Sequence, residues 1–188
     1  IKDRVVVPPM PLPALQNVVD TVLSFSHVAT VDLSSMFYQF GMHRSLASYY
    51  GARIGGRRGA FSKVMLGVLP MGCVFAPAFA QHLANFLCCV AKQRIQRQGI
   101  FGEAIAWVDN FILLAQSHAA LEALKTTFSL LCDELRLIIK EFVDGPNLEL
   151  LGIDFQLAGE RVARPTKNSL EKASQALRRA IGQDTIDH

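Results

Sequence analysis

The chain has 188 residues, of which 51% are hydrophobic and 19% are charged. A chain of this length can bury a sizeable core, and this composition excludes intrinsic disorder, so we expect one compact domain. The net charge of +3 is compatible with a nucleic-acid partner but does not require one. The four cysteines follow neither a metal-ligand spacing nor a disulfide pattern, which predicts buried thiols in a reduced compartment.

Membrane and secretion signals are not visible in the sequence. No stretch reaches the roughly 18 uninterrupted apolar residues of a membrane span, and the N-terminal residues lack the layout of a signal peptide. We therefore expect an intracellular protein, cytoplasmic or nuclear, with no membrane partner. The first residues, IKDR, include no initiator methionine, which predicts that the chain is cut from a longer polypeptide.

The predicted elements follow from hydrophobic periodicity and from Gly, Pro and capping residues. Apolar residues at every third or fourth position indicate helices, and short β-branched runs indicate strands. In chain order, the sequence predicts a helix over 14–24, a strand over 27–33, a hairpin over 48–69, a helix over 77–98, a hairpin over 104–115, a helix over 117–135, a strand over 137–139, a strand pair over 148–157 and a helix over 168–181.

Two aspartates interrupt apolar, strand-forming segments. Asp32 closes the predicted strand 27–33, and Asp109 lies with Asn110 in a polar turn between two apolar runs. An ionised carboxylate beside buried strands needs a compensating charge, which a divalent cation such as Mg²⁺ supplies. If the two strands are neighbours, the acids form a metal site. The alternative is that each acid is solvated in a turn.

The order of several segments resembles the reverse transcriptases of retrotransposons over residues 2–181. The matching segments are VDLSSMFYQF at 31–40, LPMGCVFAPAFAQ at 69–81, WVDN at 107–110, Lys140 and LLG at 150–152. The resemblance implies an α+β fold, in which a polymerase palm with an antiparallel sheet packed on helices is joined by partial fingers and the start of a thumb. It implies palm and fingers over 1–157, then a connection to the thumb with a C-terminal helix over 158–188.

This resemblance implies an RNA-directed DNA polymerase that uses two Mg²⁺ ions held by Asp32 and Asp109. The WVDN segment matches the family's Tyr-x-Asp-Asp hairpin, with Trp107 in place of Tyr and Asn110 in place of the second Asp. Asn110 removes one negative charge from the catalytic group, so we expect weaker metal affinity or a preference for Mn²⁺. Lys140 matches a lysine that protonates pyrophosphate in the family, and the alternative is a solvated surface cation.

Nucleotide-binding roles are implied for Leu33, Phe37, Met71 and Gly72. Phe37 matches the aromatic steric gate that rejects a 2′-hydroxyl, which implies deoxynucleoside triphosphates as substrates. The alternative for Phe37 is an ordinary core aromatic. Gly72 would allow the backbone to approach the substrate closely, and Met71 replaces the Gln of retroviral enzymes, so a packing contact is expected there.

Contacts with an RNA or DNA template and its primer are implied for Arg57, Arg58, Gln81, Trp107, Leu151 and Gly152. Leu151 and Gly152 match the family's primer-grip turn. Arg57 and Arg58 lie in a basic hairpin tip that suits phosphate groups, where simple solvation is the alternative.

Other readings of the sequence remain open. A fused ribonuclease H or other domains are expected in the full polypeptide. The family's main triphosphate-binding Lys and Arg lie in fingers strands upstream of the proline-rich segment, which here is PPMPLP at 8–13. This chain alone is therefore expected to bind nucleotide weakly.

A catalytically inactive relative that serves as a nucleic-acid or protein scaffold is the second hypothesis, which Asn110 and Met71 favour. An unrelated small-molecule enzyme would need a phosphate-binding Gly loop, and residues 55–59 match none.

Overall fold

A computed structural model describes residues 9–55 and 61–184. The helices in this part of the chain are α1 (Leu15–Ser24), α2 (Arg44–Ala47), α3 (Ala76–Arg97), α4 (His118–Glu134) and α5 (Lys167–Asp184). The strands are β1 (His27–Leu33), β2 (Gly51–Gly55), β3 (Phe61–Met65), β4 (Gly102–Trp107), β5 (Asn110–Ala115), β6 (Ile139–Asp144), β7 (Asn147–Leu150), β8 (Ile153–Gln156) and β9 (Val162–Pro165). Arg57 and Arg58 lie outside the described residues.

A four-stranded antiparallel sheet forms the centre of the fold, with strand order β4-β5-β1-β6. The sequence NFILLA of β5 explains its inner position, since every residue after Asn110 is buried. A strand without polar alternation needs cover on both faces. β1 lies between β5 and β6, so the two strands that carry Asp32 and Asn110 are neighbours.

The main core lies between one face of this sheet and the helices α3 and α4. Alanines on α3 let the helix approach the sheet closely, and Ala80, Ala84 and Ala91 are completely buried. The ring centroids of Phe111 on β5 and Phe128 on α4 are 5.0 Å apart. Burial of each such large side chain contributes about 1.5–3 kcal/mol.

A second core covers the opposite face of the sheet. It joins α1, through Val18 and Val22, to the small antiparallel sheet β7-β8-β9, through Leu148 and Phe155. Ile112 of β5 is buried in this second core. Both faces of the central sheet are thus packed, and the expected α+β arrangement of an antiparallel sheet on helices is confirmed.

Most predicted elements are found close to their expected positions, with three additions. The sequence did not predict the 3₁₀ turn Met36–Gln39, the one-turn helix α2 or the strand β9. β9 pairs with β8, which joins the predicted segments 1–157 and 158–188 in one sheet. Short elements of this kind are set by packing more than by periodicity, which explains why the sequence pattern does not reveal them.

Three of the four cysteines are buried, and Cys89 is exposed. Burial raises the pKa of the Cys132 thiol to about 12, so this thiol stays protonated and unreactive at neutral pH. In the described ranges, none of the helices has both the length and the apolar character needed to cross a membrane.

Candidate metal-binding site

Four side chains form a row across one end of the central sheet. Trp107 pairs with Asn110, Asn110 pairs with Asp32, and Asp32 pairs with Glu141. Directly opposed residues of antiparallel strands point to the same face, with Cα atoms about 4.5–5.5 Å apart. We call these four residues the cross-strand row. It lies on the face of the second core, and the Asp32 side chain is 38% exposed at its centre.

Asp109 lies directly beside this row, in the two-residue turn that joins β4 to β5. The turn follows the last pair of the hairpin, Trp107 with Asn110. Asn110 donates a hydrogen bond from Nδ2 to Oδ1 of Asp109 at 3.2 Å, and it pairs with Asp32 across the sheet. The fold thus brings the two predicted metal-binding acids to the same end of neighbouring strands.

The other residue of the turn, Val108, has a left-handed backbone with φ 56. A β-branched residue disfavours this conformation, which costs about 1–3 kcal/mol and persists only where the surroundings enforce it. Here the N–H of Val108 donates to Oε1 of Gln81 at 2.6 Å. The hairpin tip is therefore tied to α3, on which Gln81 lies.

The predicted contact between Gln81 and nucleic acid is corrected by the structure. The side chain of Gln81 is 0% exposed, with its amide bonded to the backbone of Val108 and Ala106 and to the side chain of Asn85. A buried carboxamide is stable only when all its polar atoms are paired, as they are here. Gln81 supports the hairpin from inside the protein.

Lys140 lies in a β-bulge at the start of β6. Glu141 pairs with Asp32 and Ile139 pairs with Leu33, which leaves Lys140 as the extra residue. Its Nζ is 2.8 Å from Oδ2 of Asp32 and 3.3 Å from Oε1 of Glu141. The hydrogen bond to Asp32, followed by that to Glu141, raises the pKa of Lys140. Lys140 is therefore cationic at neutral pH and neutralises part of the carboxylate charge.

Sequence reasoning missed Glu141, which the structure places next to Asp32. The residue follows Lys140 in an ordinary amphipathic strand, and no local pattern distinguishes it from other surface glutamates. Only the pairing of β6 with β1 brings it to the cross-strand row.

The carboxylates at this end of the sheet are oxygen ligands of the kind that suits a hard divalent cation such as Mg²⁺. Within residues 9–55 and 61–184, no group of three or more His, Cys, Asp or Glu forms a metal cluster by itself. Mg²⁺, however, is commonly bound by one or two carboxylates, with water and substrate phosphates completing its octahedron. Asp32 and Asp109 supply two carboxylates of this kind, and the side-chain oxygen of Asn110 is a further, uncharged ligand atom.

Leu33 and Phe37 differ in what they offer to a nucleotide. The Leu33 side chain is 2% exposed within the main core, so only its backbone is available to a nucleotide, and that contact stays a prediction. Phe37 lies in the 3₁₀ turn and packs partly against the main core. Its ring therefore has a packing function in this structure, and the gate function stays a prediction.

The 3₁₀ turn that carries Phe37 is tied to the residue just before β6 by a second glutamine. Gln39 donates from Nε2 to the carbonyls of Ser34 at 2.5 Å and Ile138 at 3.1 Å, and its Oε1 accepts from the Ile138 N–H at 2.6 Å. The segment after Asp32 and the segment before Lys140 are thereby held together.

Met71 and Gly72 form an exposed turn before α3. The Met71 side chain is 65% exposed, and Gly72 has φ 85, which favours glycine. A Cβ added at Gly72 would meet no heavy atom within 4 Å, so the space beside this turn is open. The turn is accessible to a ligand, and its contact with nucleotide stays a prediction.

Leu151 and Gly152 form the turn between β7 and β8, with φ 53 and 75. The carbonyl of Gly152 accepts hydrogen bonds from the Thr166 N–H and from Oγ of Ser169, both at 2.9 Å. Thr166 in turn caps α5, because its Oγ1 accepts from the Ser169 N–H at 3.2 Å. The turn is therefore anchored to the first residues of α5.

Comparisons with known proteins support the fold. No protein-family model and no curated protein matches the chain at the level of sequence. Apo telomerase from Candida tropicalis, truncated from its C-terminal domain, superimposes with a TM-score of 0.63 and 9% identity over 82% of this chain and 40% of that chain. The foamy viral protease-reverse transcriptase in complex with double-stranded DNA gives a TM-score of 0.61 and 17% identity over 84% of this chain and 26% of that chain.

These similarities establish the class of fold. At 9% and 17% identity they show a shared backbone arrangement, which is that of reverse-transcriptase-like polymerases. The expected α+β fold, with an antiparallel sheet packed on helices, is confirmed by these similarities. The chain spans less than half the length of either structure.

Proposed function

We propose that the chain is the palm-centred part of an RNA-directed DNA polymerase of a retrotransposon, which works inside the cell. The pairing of Asp32 with Asn110 carries this proposal, because it places Asp32 beside the Asp109 turn in a reverse-transcriptase-like fold. Two acids at the same end of such a sheet, one on a strand and one in the neighbouring hairpin turn, suit the transfer of a nucleotide to a primer.

In this proposal, Asp32 and Asp109 bind and orient two Mg²⁺ ions, or Mn²⁺ in their place. When bound, these ions would activate the primer 3′-hydroxyl and neutralise the leaving pyrophosphate. Asn110 orients Asp109 through its 3.2 Å hydrogen bond and contributes no charge. Lys140, kept cationic by its acidic neighbours, pairs with the pyrophosphate and donates a proton to it.

The substrates we propose are deoxynucleoside triphosphates and a primer on an RNA or DNA template. Phe37 would exclude the 2′-hydroxyl of ribonucleotides, while the open turn at Met71 and Gly72 would approach the nascent base pair. The anchored turn at Leu151 and Gly152 would hold the primer.

The remaining nucleic-acid contacts are proposed for Trp107, in the cross-strand row, and for Arg57 and Arg58, outside the described residues. The partners would include a fused ribonuclease H domain in the full polypeptide.

The test is primer extension on an RNA template by the polypeptide that contains this chain, with Mg²⁺ and then with Mn²⁺. We expect extension with at least one metal, and we expect Asp109→Ala to abolish it. Asp133→Ala is the matched control, because Asp133 is exposed on α4 and lies outside the cross-strand row. Extension that survives Asp109→Ala would contradict the proposal.

A second candidate function is that of a catalytically inactive scaffold that binds nucleic acid or protein. Two features favour it: Asn110 lacks the charge of the family's second aspartate, and Lys140 already pairs with Asp32. A polypeptide that binds primer-template but extends it with neither metal would establish the scaffold and exclude the polymerase.

A further inference from the structure

The turn between β4 and β5 holds Val108 in a conformation that its own side chain disfavours. Val108 has φ 56, where the Cβ of a branched residue crowds the backbone. Two-residue hairpin turns with positive φ normally use Gly, Asn or Asp at such positions. The geometry of this turn therefore depends on contacts from outside the hairpin.

Gln81 supplies these contacts from α3. Its Oε1 accepts from the Val108 N–H at 2.6 Å, and its Nε2 donates to the carbonyl of Ala106 at 3.0 Å. The other amide hydrogen goes to Oδ1 of Asn85 at 2.9 Å. Because Nε2 is committed to two acceptors, the oxygen of Gln81 has to face Val108. The carboxamide thus clamps the backbone on both sides of Trp107.

The Asp109 carboxylate belongs to the turn residue next to the clamped backbone. Asp109 directly follows Val108, and on its other side Asn110 pairs with Asp32. We propose that Gln81 is a positioning residue, which holds Val108 in the left-handed conformation and thereby fixes the Asp109 carboxylate beside Asp32 for metal binding. This inference rests on the proposed function, since it assigns Asp109 to the metal site.

The test is a titration of the 188-residue chain with Mn²⁺ alone, followed by electron paramagnetic resonance. A parallel NMR titration locates the ion. Trp107 is the single tryptophan, so broadening of its indole N–H resonance by Mn²⁺ reports binding next to the turn. We expect Gln81→Met to weaken Mn²⁺ binding by about 10-fold or more, the usual effect of removing the support of a metal ligand. Gln93→Met, an exposed glutamine on the same helix, is the matched control and is expected to bind as the parent does.

A rescue experiment separates positioning from a merely structural role. Glycine adopts positive φ without penalty, so Val108→Gly removes the need for the clamp. We expect Val108→Gly to restore part of the Mn²⁺ affinity of Gln81→Met. If Gln81 only stabilised the fold, the double variant would bind no better than Gln81→Met.

The outcomes distinguish this inference from the proposed function. Equal Mn²⁺ affinity of the parent and Asp109→Ala would overturn the metal site and with it the inference. Binding that depends on Asp109 but is unchanged in Gln81→Met would overturn the inference alone. If Gln81→Met does not fold, Asn85→Ala is the deciding variant. Asn85 is half-buried, and its side chain supplies the acceptor that orients the Gln81 amide. An unchanged Mn²⁺ affinity in Asn85→Ala would overturn the inference.

Discussion

Lys140 and Asp32 form an ion pair, with Nζ 2.8 Å from Oδ2, although 108 residues separate them in the chain. The β-bulge in β6 makes this contact possible, because it leaves Lys140 without a partner of its own on β1. The carboxylate that we propose for metal binding therefore already shares its charge with a cation. Metal binding and the ion pair compete for Asp32.

Lys140→Met removes the competing cation. We expect the Mn²⁺ affinity of the chain to rise by roughly two- to fivefold, which is the range for an exposed ion pair. Primer extension is expected to fall, since the pyrophosphate loses its cationic partner. Electron paramagnetic resonance measures the first effect, and Lys172→Met on the exposed face of α5 is the control. Unchanged or weaker Mn²⁺ binding in Lys140→Met would contradict the competition.

Asn110→Asp adds a carboxylate beside Asp109 and across from Asp32. We expect Mn²⁺ to bind several-fold more tightly, because an added negative charge within a few ångströms attracts the divalent ion. The difference between the primer-extension rates measured with Mg²⁺ and with Mn²⁺ should also become smaller. The control is Asn147→Asp at an exposed position of β7, which adds the same charge away from the cross-strand row. Equal gains in both variants would indicate a non-specific effect of net charge.

The bidentate pair between Arg94 on α3 and Glu134 on α4 makes stability depend on pH. The hydrogen bond from Arg94 lowers the pKa of Glu134 from 4.5. A lowered carboxyl pKa stabilises the fold above pH 4.5, and this stabilisation is lost as the pH falls through the folded-state pKa.

Glu134→Gln tests this pH dependence. We expect the midpoint of thermal unfolding to fall by roughly 1–4 °C at pH 7, and the difference from the parent to vanish at strongly acidic pH. Thermal scans by circular dichroism across this range measure the effect, with Glu149→Gln at an exposed position of β7 as the control. A difference that is independent of pH would show that the loss comes from packing.

Gly152→Ala is expected to destabilise the fold by about 1–3 kcal/mol, for two reasons. The residue has φ 75, and its new Cβ would collide with Oγ of Ser169. Ser169→Ala alone should cost about 0.5–1.5 kcal/mol, because it removes the hydrogen bond to the Gly152 carbonyl.

The double variant with both changes should lose less than the sum of the two single losses, since the collision disappears with the hydroxyl. Urea unfolding of the parent, the two single variants and the double variant measures this coupling free energy. If the two single losses of unfolding free energy simply add, the whole destabilisation by Gly152→Ala comes from the backbone conformation and none from the collision.

The sequence by itself determined the features that depend on local order. The helix-forming composition of 77–98, rich in Ala, Leu and Gln, predicted α3, and the polar pair between two apolar runs predicted the β4–β5 hairpin with Asp109 in its turn. The β-branched segment that ends near Asp32 predicted β1. These signals are local because helix and strand periods are written into neighbouring residues.

Only the tertiary structure decided which of these residues meet. Glu141 reaches Asp32 through the register of β6, Gln81 reaches Val108 across 27 residues, and Leu33 turns into the main core. Strand register and helix-on-sheet packing are long-range choices, made by which apolar faces bury each other best, and a shift of one residue would move every side chain of a strand to the other face. Gln81, which lies in a recognisable motif, is therefore a buried support of the hairpin. Glu141, which no local pattern distinguishes, lies beside the proposed metal ligand Asp32.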